Sequence, residues 1–386
     1  MDRIKVSKVA KQIRGVSYKP EDLHDMRDDN SVTLLRANNI QDGKVDFEDV
    51  LYVDKSKVSQ VQYLQKGDIL VCASSGSKSI VGKAASIDFD GEYTFGAFCK
   101  VVRPIPDMID YLGVYFQSQI YRDIISKAAM GANINNIRNE HIDNLEIPEK
   151  TSKEISSIIQ RIKLLQYIID RRNLELQKLD ELVKARFVEM FGNPLDGTAK
   201  YLIHQVVDPQ PSHRTPPIEE GGIPYVSIKD CDYKTGKIDF QGARRVSTKV
   251  LEEHLQRYTL KDGDFIIGKI GTIGQPIFVP ARRDYALSAN IVLIQPDSEL
   301  VSPYFLKYSF ESDFVERQFA EAKNSTSQAA FGIQKVRTIE VMDPDLDVQW
   351  TFERFTKQID KLKLSIRKSL EQMEILKKAL MQKYFG

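Results

Sequence analysis

Gly43-Lys44-Val45-Asp46-Phe47 is answered 193 positions later by Gly236-Lys237-Ile238-Asp239-Phe240, in a chain of 386 residues. Outward from this pair the correspondence continues. Lys66-Gly67-Asp68-Ile69-Leu70 returns as Asp262-Gly263-Asp264-Phe265-Ile266, an offset of 196. Ala97 and Pro104 return as Ala289 and Pro296, an offset of 192. The run ending Met190-Phe191-Gly192 returns at offset 194, ending Tyr384-Phe385-Gly386. A tandem duplication of this length predicts two similar bodies related by a pseudo-two-fold axis, doing one kind of job at two places.

Hydrophobic content of 42% and charged content of 28% suit a soluble globular protein, and the length calls for two or more domains. No apolar run reaches membrane-spanning length, and Met1-Asp2-Arg3-Ile4-Lys5 lacks the apolar core of a signal peptide. Cys72, Cys99 and Cys231 are scattered, which favours a reducing cytoplasm and argues against structural zinc. Net charge is +1. Residues 1–150 carry 20 Lys+Arg against 22 Asp+Glu, and residues 193–344 carry 18 against 20. The basic excess falls in 151–192 (+2) and 345–386 (+3). Nucleic-acid binding would thus rest on local patches.

Residues 1–150 alternate short apolar runs with turn signals. Leu34-Leu35, Ile69-Leu70-Val71-Cys72 and Val101-Val102 read as strands, and Tyr111 to Met130 has helical spacing. The order repeats in Tyr225-Val226-Ser227-Ile228, Phe265-Ile266-Ile267, Ile291-Val292-Leu293-Ile294 and Tyr304 to Phe319. Each half is a mixed α/β body large enough for its own core.

Two long helices are expected, over 151–192 and 345–386. Thr151-x-x-Glu154 is a capping box, and Gly192 with Pro194 marks a stop. Apolar residues at 155, 158, 162, 165, 169, 176, 179, 183 and 190 keep a 3,4 alternation; 352, 355, 359, 362, 366, 373, 376 and 380 keep the same rhythm. Such a seam needs a partner helix. Chain order makes the pair antiparallel, since the second helix must return toward the first body to bury its seam on the first helix. Forty helical residues span about 60 Å. The expected architecture is two globular domains, 1–150 and 193–344, separated by two antiparallel helices forming a coiled coil. Inverted readers at a fixed spacing suit duplex DNA, whose half-sites one turn apart face the same side.

With these features the chain resembles the specificity subunit of type I restriction–modification enzymes over essentially its whole length. The resemblance is carried by Leu35-Arg36-Ala37-Asn38-Asn39-Ile40, Lys66-Gly67-Asp68-Ile69-Leu70 and Phe187-Val188-Glu189-Met190-Phe191-Gly192-Asn193-Pro194, in their repeated order. It implies two target recognition domains, and a non-catalytic subunit that reads a bipartite asymmetric site on double-stranded DNA. It implies two methyltransferase (M) subunits acting at adenine N6 and restriction (R) subunits as partners. No cofactor is expected on this chain; S-adenosylmethionine and ATP would belong to the partners.

The residues carry little independent chemistry. Asn193-Pro194 is followed by Leu195, not by the Pro-Tyr of an amino-methyltransferase loop. Gly76 to Lys83 has five residues between its glycines and Ala84 where a phosphate-binding loop needs Ser or Thr. The five histidines have no paired metal-ligand spacing, and no metal site is expected.

Three kinds of segment are candidate DNA contacts in each body. The first follows the Gly-Asp strand: Ser74, Ser75, Gly76, Ser77 and Lys78, with Lys269, Gly271, Thr272 and Gln275 in the second. Small residues admit close backbone approach, although a hairpin or bulge explains the glycines equally. The second is Arg36, Asn38 and Asn39, with Lys229 and Asp230 as counterparts; Arg can bond guanine twice and Asn adenine. The third is uncharged and amide- or hydroxyl-rich: Asn133, Asn135 and Asn136, then Ser325, Thr326, Ser327 and Gln328. Arg14, Ser17 and Tyr18, and Arg214 with Thr215, are further candidates, the arginines for phosphate. A scaffold that docks two protein copies is the competing class of function.

The helix pair as a ruler yields a measurable expectation. One added heptad in each helix keeps the seam and adds about 10 Å. The gap in the recognised DNA site should widen by roughly three base pairs at 3.4 Å each; an unchanged gap excludes the ruler.

Overall fold

A computed structural model gives the structure of the chain and describes residues 2–77, 79–128, 135–192, 199–201, 205–210, 214–233, 235–269, 274–324 and 332–386. Packing divides it into two units, Met1–Asn173 with Arg367–Gly386, and Leu174–Ile366. Both long helices are therefore shared between the units, a division that the sequence boundaries do not suggest.

In the first unit, strands Ala10–Arg14, Cys99–Pro104, Ile69–Cys72 and Ala84–Ser86 form one antiparallel sheet in that order. A second sheet orders Leu23–His24, Leu51–Asp54, Ser31–Leu35 and Tyr93–Phe95, with the last pair parallel. The second unit repeats both. Val206–Val207, Ile291–Ile294, Phe265–Gly268 and Ile277–Phe278 form its antiparallel sheet. Arg244–Val246, Ile223–Val226 and Ala286–Leu287 form its mixed one, again with the last pair parallel. The duplication extends to register. Val101 lies opposite Leu70 as Leu293 lies opposite Ile266, and Phe95 opposite Leu35 as Leu287 opposite Val226.

The repeated Gly-Asp turns show what the motif does. Gly67 and Gly263 have φ of +94° and +93°, where a side chain would be strained, and an added Cβ would come within 2.8 Å of Ile109 and 2.7 Å of Pro303. Each turn is closed by its aspartate: Asp68 Oδ2 accepts from Gln65 N at 2.9 Å, and Asp264 Oδ2 from Lys261 N at 2.8 Å. The motif is therefore a folding element that launches the central strand against a helix start.

Where helical spacing spans Tyr111 to Met130, the structure holds two helices, Ile109–Phe116 and Gln119–Ala128. Its counterpart also divides, into Pro303–Ser309 and Asp313–Asn324. A serine ends and restarts the helix in both. Ser118 Oγ donates to Tyr115 O and accepts from Tyr121 N, and Ser312 Oγ donates to Ser309 O and accepts from Val315 N.

The long helices are Ser152–Phe191 and Leu346–Phe385. The Thr151 capping box forms as expected: Thr151 N donates to Glu154 Oε2 at 2.9 Å and Glu154 N to Thr151 Oγ1 at 3.3 Å. Gly192 terminates the first helix at φ +74°. The helices pair antiparallel within each unit. Arg161 Nη1 donates to Tyr384 OH and Lys377 Nζ to Gln166 Oε1 in the first, and Lys363 Nζ pairs with Asp180 in the second. The second helix differs from its expected seam. Phe352, Ile359 and Ile366 face inward, but the column beside them is Thr356 and Lys363, with Lys377 half-buried further on. Leu362 and Leu376 are 53% and 50% exposed instead. Asp180 and Gln166 on the first helix accept the lysine ammoniums, and this fixes the phase.

Each core takes in a helix pair. Ile158, Ile159, Ile162, Met381 and Phe385 join Tyr111 and Tyr115 in the first unit. Val183, Phe187, Phe352 and Ile359 join Phe305 in the second. Phe385 lies 5.0 Å from the Tyr111 ring, and Phe191 lies 4.7 Å from Phe305.

The second unit also buries His254, 1% exposed, between Tyr258 OH on Nδ1 (3.0 Å) and Gln210 Oε1 on Nε2 (2.8 Å). Burial pushes its pKa down to about 4 from the model-compound 6.5. The unfolded chain protonates this imidazole first as pH falls, so its contribution to stability is full above 6.5 and is lost toward 4. Between pH 7 and pH 5 the protein should lose about 2 kcal/mol more stability than a His254→Gln variant. Denaturant unfolding at the two pH values measures the difference.

Candidate nucleic-acid interface

In the first unit the sheet edge brings two candidate segments together. Ser74–Ser75 pairs antiparallel with Asn135–Asn136, placing Asn136 opposite Ser74 and Asn135 opposite Ser75. Ile137 N donates to Ala73 O at 2.8 Å and continues the match. Gly76 and Ser77 are exposed beyond it, and an added Cβ at Gly76 would meet nothing within 4 Å. Packing within the unit does not require a glycine at this position.

Beside this ribbon lies a hollow of about 160 Å³, lined among others by Tyr18, Arg36, Asn38, Ser74, Gly96 and Phe98. Members of three predicted segments thus share one concavity. A larger one, about 630 Å³, lies between Pro106–Asp110 and the start of the first long helix and includes no predicted contact residue. Asp49 holds Arg36 and Asn38 in place. Arg36 Nη2 reaches its carboxylate at 3.0 Å and donates to its carbonyl at 2.7 Å, and Asn38 Nδ2 lies 3.0 Å from the same carboxylate. Asp49 has φ of +52°, uncommon for a residue with a side chain. Arg36 Nε is buried and makes no hydrogen bond.

Arg14 ends its strand exposed, directly opposite Lys100. Like charges facing each other across strands repel. Partial burial, then Arg14, holds the Lys100 pKa below its ordinary value. Lys100 Nζ donates to Asn139 Oδ1 at 2.6 Å. This cationic pair suits a phosphate, and Lys100 escaped the sequence reading because it sits mid-strand beside apolar residues. Ser17 is exposed and Tyr18 half-buried near it in sequence.

Three predicted contacts are structural instead. Asn39 is fully buried: Nδ2 donates to Asp46 O and Glu48 O, both at 2.9 Å, and Oδ1 accepts from Arg36 N. Its counterpart Asp230 accepts from Ser227 N and Ser227 Oγ, both at 2.8 Å, closing the same turn. Lys269, 6% exposed, is spent on Asp208 Oδ1 at 2.8 Å. Asn39 and Lys269 cannot reach a base without dismantling their turn or ion pair, and half-buried Asp230 commits its Oδ2 to its turn. Lys229, Gln275, Arg214 and Thr215 are exposed in the second unit. Lys78, Asn133, Gly271, Thr272, Ser325, Thr326, Ser327 and Gln328 lie outside the described residues, as does the side chain of Asn135.

The two units carry different chemistry on one framework. Strand register aligns Arg14 with Asp208 and Lys100 with Val292. The 3₁₀ turns align Arg36 with Ser227 and Asn38 with Lys229. Cys72, Cys99 and Cys231 are free and buried, and no metal-binding group of side chains occurs among the described residues. No helix among them is long and apolar enough to cross a membrane.

Structural and reading roles separate experimentally. Lys269→Ala strands a largely buried Asp208 and should cost about 3 kcal/mol of stability. Arg36→Ala should leave stability nearly intact but cost about 1–3 kcal/mol of discrimination at one base pair. Denaturant midpoints and binding to a base-substitution series measure the two.

The chain is similar to known proteins in sequence and in fold. The family model for the type I restriction modification DNA specificity domain matches residues 217–375. The EcoKI specificity subunit of Escherichia coli K12 is 26% identical, covering 98% of this chain and 87% of that one. The StySPI specificity subunit of Salmonella potsdam has the same identity and the same coverages. The crystal structure of a type I restriction-modification S subunit from M. genitalium superposes with a TM-score of 0.53 at 14% identity, over 100% of this chain and 96% of that chain. Residues 217–375 thus match a DNA specificity domain, and the chain as a whole is similar to specificity subunits of type I restriction enzymes.

Proposed function

We propose that the chain reads a bipartite asymmetric sequence in double-stranded DNA, one half with each unit, in the cytoplasm. The observation that carries this is the repeated framework with unlike side chains at matching turn positions, Arg36 and Asn38 against Ser227 and Lys229. One scaffold used twice with different donors is what reading two different words requires.

The chain recruits two adenine-N6 methyltransferase subunits and, for cleavage, motor-nuclease subunits; these bring S-adenosylmethionine and ATP. Apolar residues left exposed on the long helices support docking there: Leu164, Tyr167, Ile375 and Leu376 in the first unit, Leu182, Val188, Leu362 and Leu364 in the second. Contiguous exposed apolar area on a helix is a mark of protein contact.

Deleting the gene should abolish adenine methylation at a single gapped, asymmetric motif in the host genome and leave other motifs untouched. Long-read methylome sequencing with and without the gene is the test. An unchanged methylome, with methyltransferase partners present and active, defeats the proposal.

A further inference from the structure

Phe98 stands in the first unit 70% exposed, an unusual place for a residue with so large an apolar ring. Its backbone is fixed. Cys99 N donates to Gly96 O at 2.8 Å, making Phe98 the third residue of a tight turn. Phe98 O accepts from both Ala73 N (2.8 Å) and Ser74 N (3.0 Å), tying the turn to the ribbon that pairs Ser74–Ser75 with Asn135–Asn136. Gly96 N donates to Leu35 O at 3.0 Å, tying it to the strand that leads into Arg36. The ring is thus held at the rim of the hollow shared with Arg36, Asn38 and Ser74.

The second unit builds the same turn. Ile291 N donates to Ser288 O at 3.2 Å, and Asn290 O accepts from Lys269 N at 2.9 Å. The residue aligned with Phe98 is Asn290. One turn, anchored alike in both units, exposes an apolar ring in the first, whereas in the second it holds a half-buried carboxamide whose Oδ1 accepts from Ser288 Oγ. The units diverge at this position, and Phe98, which packs little, is left open to a partner from outside the unit.

We propose that Phe98 is a specificity-determining residue of the first unit and reads thymine, its ring against the C5-methyl group in the major groove. That methyl is the apolar group on a major-groove base edge. The neighbours of Phe98 at the rim are hydrogen-bonding side chains, suited to the polar edges beside it. The assignment rests on the DNA-reading function proposed above.

The test uses the complex of this chain with its methyltransferase partner and duplexes bearing its methylome-defined site. Thymines in the site are replaced one at a time by uracil, which removes only the methyl. At one position the wild-type complex should bind the uracil duplex about fourfold more weakly, and the F98A complex should bind both duplexes equally there. F98N, which installs the residue of the second unit, should lose the same sensitivity. Thermal melting checks that both variants fold, as the exposure of Phe98 predicts. Retained uracil sensitivity in F98A at every position overturns the assignment. So does a uniform loss of affinity on all sequences, which would make Phe98 a wedge between bases. A wild-type complex with no sequence preference would instead bring down the DNA-reading function itself.

Discussion

A phenylalanine at the end of each long helix closes a core made mostly of residues far away in sequence. Phe385 is fully buried against Tyr111 and Tyr115, and Phe191 packs on Phe305 and Phe352. Truncating an aromatic so buried typically costs about 3–5 kcal/mol, a large share of the stability of a domain. The sheets that carry the candidate contacts pack on these cores through Ile69, Val71 and Val102 in one unit and Phe265, Ile267 and Val292 in the other. Helix docking, body and interface are thus one cooperative arrangement within each unit.

Much of this was legible in the sequence because local rules wrote it. The capping box at Thr151, the stop at Gly192 and the strands Ile69–Cys72 and Ile291–Ile294 depend on neighbours a few residues away. The duplication was legible because two copies of one framework must satisfy the same packing. What escaped depends on partners that spacing cannot reveal. Lys363 and Lys377 turn inward because Asp180 and Gln166, about 200 residues distant, receive them. Asn39 and Asp230 looked like readers because amides and carboxylates at a strand end serve turns and bases alike; only their partners tell the roles apart. Phe98 was missed because a single aromatic has no period.

The interface therefore divides into residues that build and residues that vary. Gly67 and Gly263, Asp68 and Asp264, and Asn39 and Asp230 do the same work in both copies. Arg14, Lys100 and Arg36 have no chemical equivalents at Asp208, Val292 and Ser227. A scaffold held constant while its rim changes lets one unit acquire a new preference without disturbing the other, because each has its own core.

The division of the chain has a consequence for its birth on the ribosome. Residues 174–366 form a contiguous unit, complete as soon as they emerge. The other unit is made first but cannot finish, since its core waits for Met381 and Phe385, and Arg3 waits to donate to Gly386 O. The first unit is therefore the later of the two to close, and its apolar face stays open while residues 174–366 are made, when nascent chains are prone to mispair.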